Sequence, residues 1–375
     1  MLRRTRAVLP PHPPAADAVQ LSIGRGTLVL SVIVILQAAW LALIMLRGWY
    51  SGPDLGNLAE ATGRPLNGSY LSQSLGGHFG APGRVVFWVL NRVAPLSWGL
   101  TVVLRLLLQA AGTVLLWRLL EELVGRRRGL WAVVGLYAFS PLLVATTAVF
   151  TNVLGLAVGQ VCVLGALLAH VRYTRTGAVR QALAAAGLAV TAVLFADQAV
   201  LGLFLLPLLS LGFLHQGRLR DRLAQARQRW LGWVALAALL MGFVGVYLSA
   251  GDSPGRPSGF GIAEAFTVAQ EEWLQVLGPA LVGGPWHWNT HDGEWVSYAA
   301  APVVAIALGQ VVLVLLVLAS LRRTGLRALL AWAAPVGMSI GGAVLVGYGR
   351  YDSWGRSSRP SSATATTRRW HWRWG

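Results

Sequence analysis

Long apolar runs, broken by short arginine-bearing polar stretches, recur along the whole chain. They cover Gly26 to Leu46, Trp98 to Leu120, Gly129 to Val149, Asn152 to Val171, Ala182 to Ala196, Ala199 to Leu214, Leu231 to Ser249, Val296 to Leu321 and Ala328 to Tyr348. Each is of about the length that crosses a bilayer, and lipid offers a backbone no partner outside a helix or a closed barrel. The pattern predicts an all-α polytopic transmembrane helical bundle of about nine spans. The pair flanking Asp197 is either two spans or one long kinked unit. The first run is longer than the apolar part of a signal peptide and lacks a small-x-small cleavage site, so it is expected to stay as the first helix.

Two interruptions are long. Residues 48–95, beginning GWYSGPDLGNLAEATGRPLNGSYLSQSLGGHFGAPGR, are too polar for lipid and form a large external loop after the first helix. Residues 250–295 form the second. Residues 1–25, basic and then Pro-rich, are expected to be a disordered cytoplasmic tail. Residues 26–355 make up the transmembrane domain, and 356–375 an irregular tail.

Composition agrees: the 375 residues are 55% hydrophobic and 12% charged, with a mean hydropathy of +0.58. The formal charge of +17 comes from 31 basic residues, all arginine. These sit in short loops between apolar runs, where they orient helices, so nucleic-acid binding is excluded. An N-terminus inside the cell places eighteen arginines on the cytoplasmic side and six outside, although the outer loops are longer. The expected location is the cell (plasma) membrane, N-terminus cytoplasmic, with both long loops outward. The basic stretch Arg218 to Arg229 is expected to meet anionic lipid headgroups. Cys162, the single cysteine, allows no intrachain disulfide and no thiolate metal site.

The last twenty residues, RSSRPSSATATTRRWHWRWG, break the pattern. In a GC-rich gene RRWHWRWG would be encoded CGG CGG TGG CAC TGG CGC TGG GG, and one nucleotide earlier most of that reads Ala-Val-Ala-Leu-Ala-Leu-Gly. A frameshift is therefore expected, with the chain truncated ahead of a further helix. The alternative is a real tail with its tryptophans at headgroup level.

Candidate chemistry concentrates in the first long loop. Asp54 follows the first helix closely, where a carboxylate serves as general base or as ligand of a divalent cation, Mg or Mn. Alternatively it is an N-cap opening the helix D-L-G-N-L-A-E. Glu60 lies at i+6. In SLGGHFGAPGR, glycines let a ligand approach the backbone, while His78 and Arg84 supply a titratable group and an anion-binding fork. The stretch after it, Val85 to Val93, is expected to lie along the interface.

Asp197 is either a second carboxylate for an outward site or a solvated hairpin tip. Arg105, one turn from Gln109, is expected to snorkel to the outer interface. Arg118 should pair locally with Glu121 or Glu122. LVGGPWHWNTHDGEW brings Trp286 and Trp288 to an aromatic belt or a sugar-stacking face. His287 and His291 have metal-like i, i+4 spacing, but the preceding Gly-Gly-Pro argues against the helix this needs. Arg350 emerges outward from the last span, as an anchor or a phosphate contact. No P-loop, G-x-S-x-G or H-E-x-x-H is present.

The order of features resembles the GT-C superfamily of polytopic glycosyltransferases: a first helix, a large external loop with an early acidic residue and interfacial helices, then spans with short loops. GHFGAPGR and LVGGPWHW also look like segments of uncharacterised actinobacterial membrane proteins of this layout. The resemblance implies transfer of a sugar from a polyprenyl-phosphate carrier at the outer face of the cell envelope. By position Asp54 would be the base or metal ligand, with Arg84 and Arg350 on the carrier phosphate and Trp286 and Trp288 along the sugar or lipid path. Where the superfamily often has adjacent acidic residues, this chain has Pro53 and Asp54. Two alternatives stand beside it: a lipid or small-solute transporter or flippase, and a non-catalytic envelope protein, truncated or degenerate.

Overall fold

The computed structural model describes residues 16–73, 81–127, 129–147, 150–215, 217, 219–249, 262–290, 297–325 and 327–355. The irregular tail, most of the N-terminal tail and parts of both long loops lie outside these. Helix α1 (Ala16–Met45) begins ahead of the apolar run, so the backbone of residues 16–25 is helical where a disordered tail was expected.

The first long loop folds as a helical cap: α2 (Gly52–Gly63), α3 (Gly68–Leu71) and α4 (Ala81–Val93). Helix α4 is amphipathic, with Gly83, Arg84 and Phe87 turned inward and Arg92 stacked 3.6 Å from the Trp88 ring on the outside. The chain then enters α5 (Trp98–Val124), α6 (Gly129–Ala138), α7 (Leu142–Thr147) and the single turn α8 (Phe150–Asn152). A π-helical turn, Val153–Ala157, leads into α9 (Val158–Thr176).

Helix α10 (Val179–Phe195) runs back along α9, since Gly165 meets Leu188 and Gly159 meets Ala196. Helix α11 (Ala199–Leu203) turns again and follows α9, with Ala199 beside Gly159 and Gly202 beside Val163. The segment around Asp197 is therefore a hairpin of two limbs, not one kinked unit. A Cβ on Gly159 would stand 3.0 Å from that of Ala196, so the glycine is what lets these limbs close. Leucines from α9, α11 and the following turn of helix fill a central core of Leu167, Leu168, Leu203 and Leu206, closed by Ala189 and Val193 of α10.

Next come α12 (Leu205–Leu209), a π-helical turn Ser210–Leu214, α13 (Leu219–Gln228) and α14 (Trp230–Ser249). The basic helix α13 meets α14 at 87°. Arg222 donates to the Gly217 and Leu211 carbonyls and Arg229 to that of Thr174, so they terminate helices, while Arg220 and Arg227 stay exposed.

The last part holds α15 (Ile262–Glu272), a π-helical turn Trp273–Leu277, α16 (Gly278–Ala280), paired strands β1 (Trp288–Thr290) and β2 (Ser297–Ala299), α17 (Val303–Thr324) and α18 (Arg327–Gly355). The strands pair antiparallel, Asn289 opposite Tyr298. A Cβ on Gly309 would fall 2.3 Å from the Gly278 backbone, so α16 and α17 touch main chain to main chain. Gln310 then donates to the Trp273 carbonyl, which already accepts from the Gly278 amide in the π-turn.

Among the described residues five helices are long and apolar enough to cross a membrane, or up to six if the bent α13–α14 pair is one span. Three shorter apolar helices, Gly129–Ala138, Val179–Phe195 and Ala199–Leu214, account for the remaining predicted runs. The described residues of the nine runs are thus mainly helical, apart from β2 at the start of the eighth, but length supports a crossing for five or six of them. Rows of exposed apolar side chains, such as Leu28, Val32, Ile35 and Leu43 on α1 and Val304, Leu308, Val311 and Leu315 on α17, fit contact with lipid.

Candidate functional site

The cap is joined to the bundle through one carboxylate. Asp54, 0% exposed, opens α2 three residues after the N-cap Ser51. Its Oδ2 accepts from the Ser51 amide (3.0 Å), the Ser51 hydroxyl (2.7 Å) and the Phe150 amide (3.0 Å). Its Oδ1 accepts from the Thr151 amide and hydroxyl, both at 2.8 Å. Thr151 Oγ1 in turn accepts from Asn57 Nδ2. One side chain therefore ties the first turn of α2 to α8, almost a hundred residues later. The expectation of Asp54 as N-cap is corrected by one turn: Ser51 is the cap and Asp54 closes the box behind it.

A carboxylate has about four lone-pair directions, and five donors occupy them. All five are neutral, so nothing about Asp54 resembles a cation site. Among the described residues no group of three or more His, Cys, Asp or Glu side chains could hold a metal ion. Apolar packing surrounds the clamp. Tyr50, Phe87, Trp98 and Phe150 form one core with Leu58, Tyr70 and Leu154, with edge-on rings 5.0 Å apart at Tyr50–Trp98 and 5.3 Å at Phe87–Phe150.

Further along α2, Glu60, Arg84 and Tyr70 converge. Arg84, 4% exposed, donates from Nη1 to Glu60 Oε2 (2.9 Å) and from Nε to the Gln73 carbonyl (2.9 Å), and lies 5.1 Å from the Tyr70 ring centre. The Tyr70 hydroxyl donates to the Arg84 carbonyl. Burial pushes the Tyr70 phenol up, with Arg84 pulling the other way. Arg84 is thus committed within the cap, while the Glu60 side chain stays 44% exposed.

The other predicted residues are not drawn into this cluster. Asp197 lies at the tip of the α10–α11 hairpin, its Oδ1 accepting from the Gln198 amide. Just before it, Phe195 and Ala196 pack on Gly155 of the π-helical turn and on Gly159 of α9. Trp286, 52% exposed, follows the turn after α16 at a positive φ of 61°. Trp288 belongs to β1 and Arg350 to the end of α18 as backbone positions. His287 is outside any helix, and His78 and His291 lie outside the described residues.

Sequence reasoning misplaced Arg105, which it paired with Gln109, and missed the longer row the two belong to. Arg105 does not snorkel: it is 1% exposed, inside the bundle. The reason is a polar row on α5, Thr101, Arg105, Gln109 and Thr113, each four residues after the last and all buried. The row faces α1, α6 and α9. Thr101 meets the Tyr50 hydroxyl at 2.9 Å. Thr113 Oγ1 donates to Gln37 Oε1 (2.7 Å), and Gln37 Nε2 donates to the Ala138 carbonyl (3.0 Å). Between these bonded ends, the buried Gln109 amide faces the Tyr137 hydroxyl, which Gln160 of α9 also approaches. The four-residue spacing of polar side chains in an apolar run was the available signal.

At the arginine-rich end, Arg118 pairs with Glu121 as expected, and Glu122 gathers Arg172 and Arg175 from α9. There His170 and Ser210 also share a buried 2.6 Å hydrogen bond. Compared with known proteins, the chain matches no protein-family model, no curated protein and no solved structure.

Proposed function

We propose that this integral membrane protein is a GT-C-like glycosyltransferase that draws on a polyprenyl-phosphate-linked sugar at the outer face, with Glu60 rather than Asp54 as the base. The observation that carries the reading is the folded cap between α1 and α5, with one half-exposed carboxylate held in place by a buried arginine. The acceptor hydroxyl attacks the anomeric carbon, its proton passes to Glu60, and the bond to the carrier phosphate breaks with polyprenyl phosphate as leaving group. Asp54 keeps the cap seated. A divalent cation has no place beside it, since every Asp54 oxygen already accepts from neutral donors, and no step runs through a metal.

The test is release of polyprenyl phosphate by the reconstituted protein from a panel of polyprenyl-phosphate sugars. Glu60→Gln should lower turnover by about a hundredfold or more, with only a small fall in melting temperature from the weakened contact to Arg84. Full activity in that variant would remove Glu60 from the chemistry, and absence of turnover with every donor would remove the transferase. A second reading, a transporter or flippase for a lipid or small solute, is favoured by the buried polar row on α5. It predicts movement of substrate across the bilayer with no bond broken.

A further inference from the structure

At the arginine-rich end, positive charge exceeds negative. Glu121 is taken by Arg118 and Arg126, and Glu122 by Arg172 and Arg175. Asp221, the single acidic residue of α13, is not free either. Arg127 after α5, Arg180 at the start of α10, and Arg220 and Arg227 on α13 are exposed and have no carboxylate partner among the described residues. They belong to one end of the bundle: Glu122 joins α5 to α9, and Arg229, just after α13, packs on Gly177 in the α9–α10 turn. Helix α13 presents two of these arginines on a defined face. Arg222 and Arg229 bond the Gly217, Leu211 and Thr174 carbonyls, Ala226 is buried, and the Trp233 indole donates to the Ala226 carbonyl, so that side is fixed to the bundle. On the opposite side Arg220, Leu223 and Arg227 follow at i, i+3 and i+7, with Leu223 51% exposed. Trp230, 57% exposed, comes three residues later.

We propose that this outward face of α13 docks on the anionic headgroups of a lipid leaflet, with Arg220 and Arg227 on the phosphates and Leu223 and Trp230 in the acyl boundary. The neighbouring α14 meets α13 at 87° and exposes Val234, Met241 and Val244, as the other lipid-facing helices expose apolar rows. A helix at a right angle to such a span runs along the membrane surface. Unpaired arginines beside an exposed leucine and tryptophan match that surface both in charge and in the change from headgroup to acyl chain. Nucleic acid or an acidic polypeptide would satisfy the arginines and leave Leu223 and Trp230 uncovered. The surface does not depend on sugar transfer, because its readout is lipid binding.

The full chain in maltoside micelles would be titrated with dioleoyl phosphatidylglycerol and, in parallel, with dioleoyl phosphatidylcholine, following the melting temperature. Phosphatidylglycerol should raise it at the lower concentration. Arg220→Gln combined with Arg227→Gln should move the phosphatidylglycerol midpoint up by about tenfold. The same pair should leave the phosphatidylcholine curve and the lipid-free melting temperature unchanged, since both arginines are exposed and without a carboxylate partner. Leu223→Gln should weaken both lipids. Arg47→Gln combined with Arg64→Gln, two exposed arginines at the cap end, should shift neither curve. An equal response to the two lipids, a phosphatidylglycerol midpoint that the α13 pair leaves in place, or an equal shift from the cap-end pair would overturn the proposal. So would an equal rise with soluble polyglutamate, which would point to an acidic protein instead.

Discussion

Two buried polar places lie along the same helical end and are treated in opposite ways. Asp54 is wrapped by five donors, and every atom around it is used. The Gln109 amide and the Tyr137 hydroxyl, deeper between α5 and α6, face each other with none of the convergent, short bonds that Asp54 collects. A third place is intermediate: Glu272 of α15 is half-buried near Ser339 of α18. A buried polar group is stabilising when its partners come with it and costly when they do not. The difference separates a carboxylate whose every oxygen is committed to the fold from polar groups that use only part of their bonding capacity.

The strongest way to break the comparison is Asp54→Ala, which strands the Phe150 and Thr151 amides beside the ring core. It should cost roughly 3–5 kcal/mol and loosen the cap from α8. Thermal unfolding and hydrogen exchange at α2 and α8 would show it, and an unchanged melting temperature would dismiss the clamp. Thr151→Val keeps the shape and removes one donor to Asp54 together with the acceptor for Asn57. A loss of about 1–2 kcal/mol is expected.

The smallest effect concerns Glu272, whose carboxyl burial pushes up from 4.5 to about 7, with Ser339 opposing. Between those values the folded protein keeps a proton that the unfolded chain has lost. Stability should therefore decline as pH rises through that window and level off above about 7. Glu272→Gln should flatten the profile and raise the melting temperature at pH 8. A parent profile already flat from pH 4.5 to 8 would show that the carboxylate is solvated.

Much of the architecture was legible in the chain. The apolar runs are helices, the polar loop after α1 is a helical cap, and the Gly-Gly-Pro stretch before His287 avoids helix, because each of these follows from local composition. The roles of the site residues were not legible. Nothing in the spacing of Ser51 and Asp54 says that Thr151 will supply two of the donors. Arg84 looked like a fork for an external anion, yet Glu60 and Gln73 take its donors. Arg105 was assigned to the interface because the sequence shows only its distance from the helix end. Which side of α5 meets α6 and α9 is a matter of packing.

The amino-acid sequence by itself determined that the chain is mainly helical, with several helices long and apolar enough to cross a membrane, where a helix satisfies the backbone's hydrogen bonds. Only the tertiary structure decided which polar groups are occupied. A side chain's chemistry depends on what faces it, and the faces here come from positions 50–150 residues apart: Asp54 with Thr151, Gln37 with Ala138, Glu122 with Arg172.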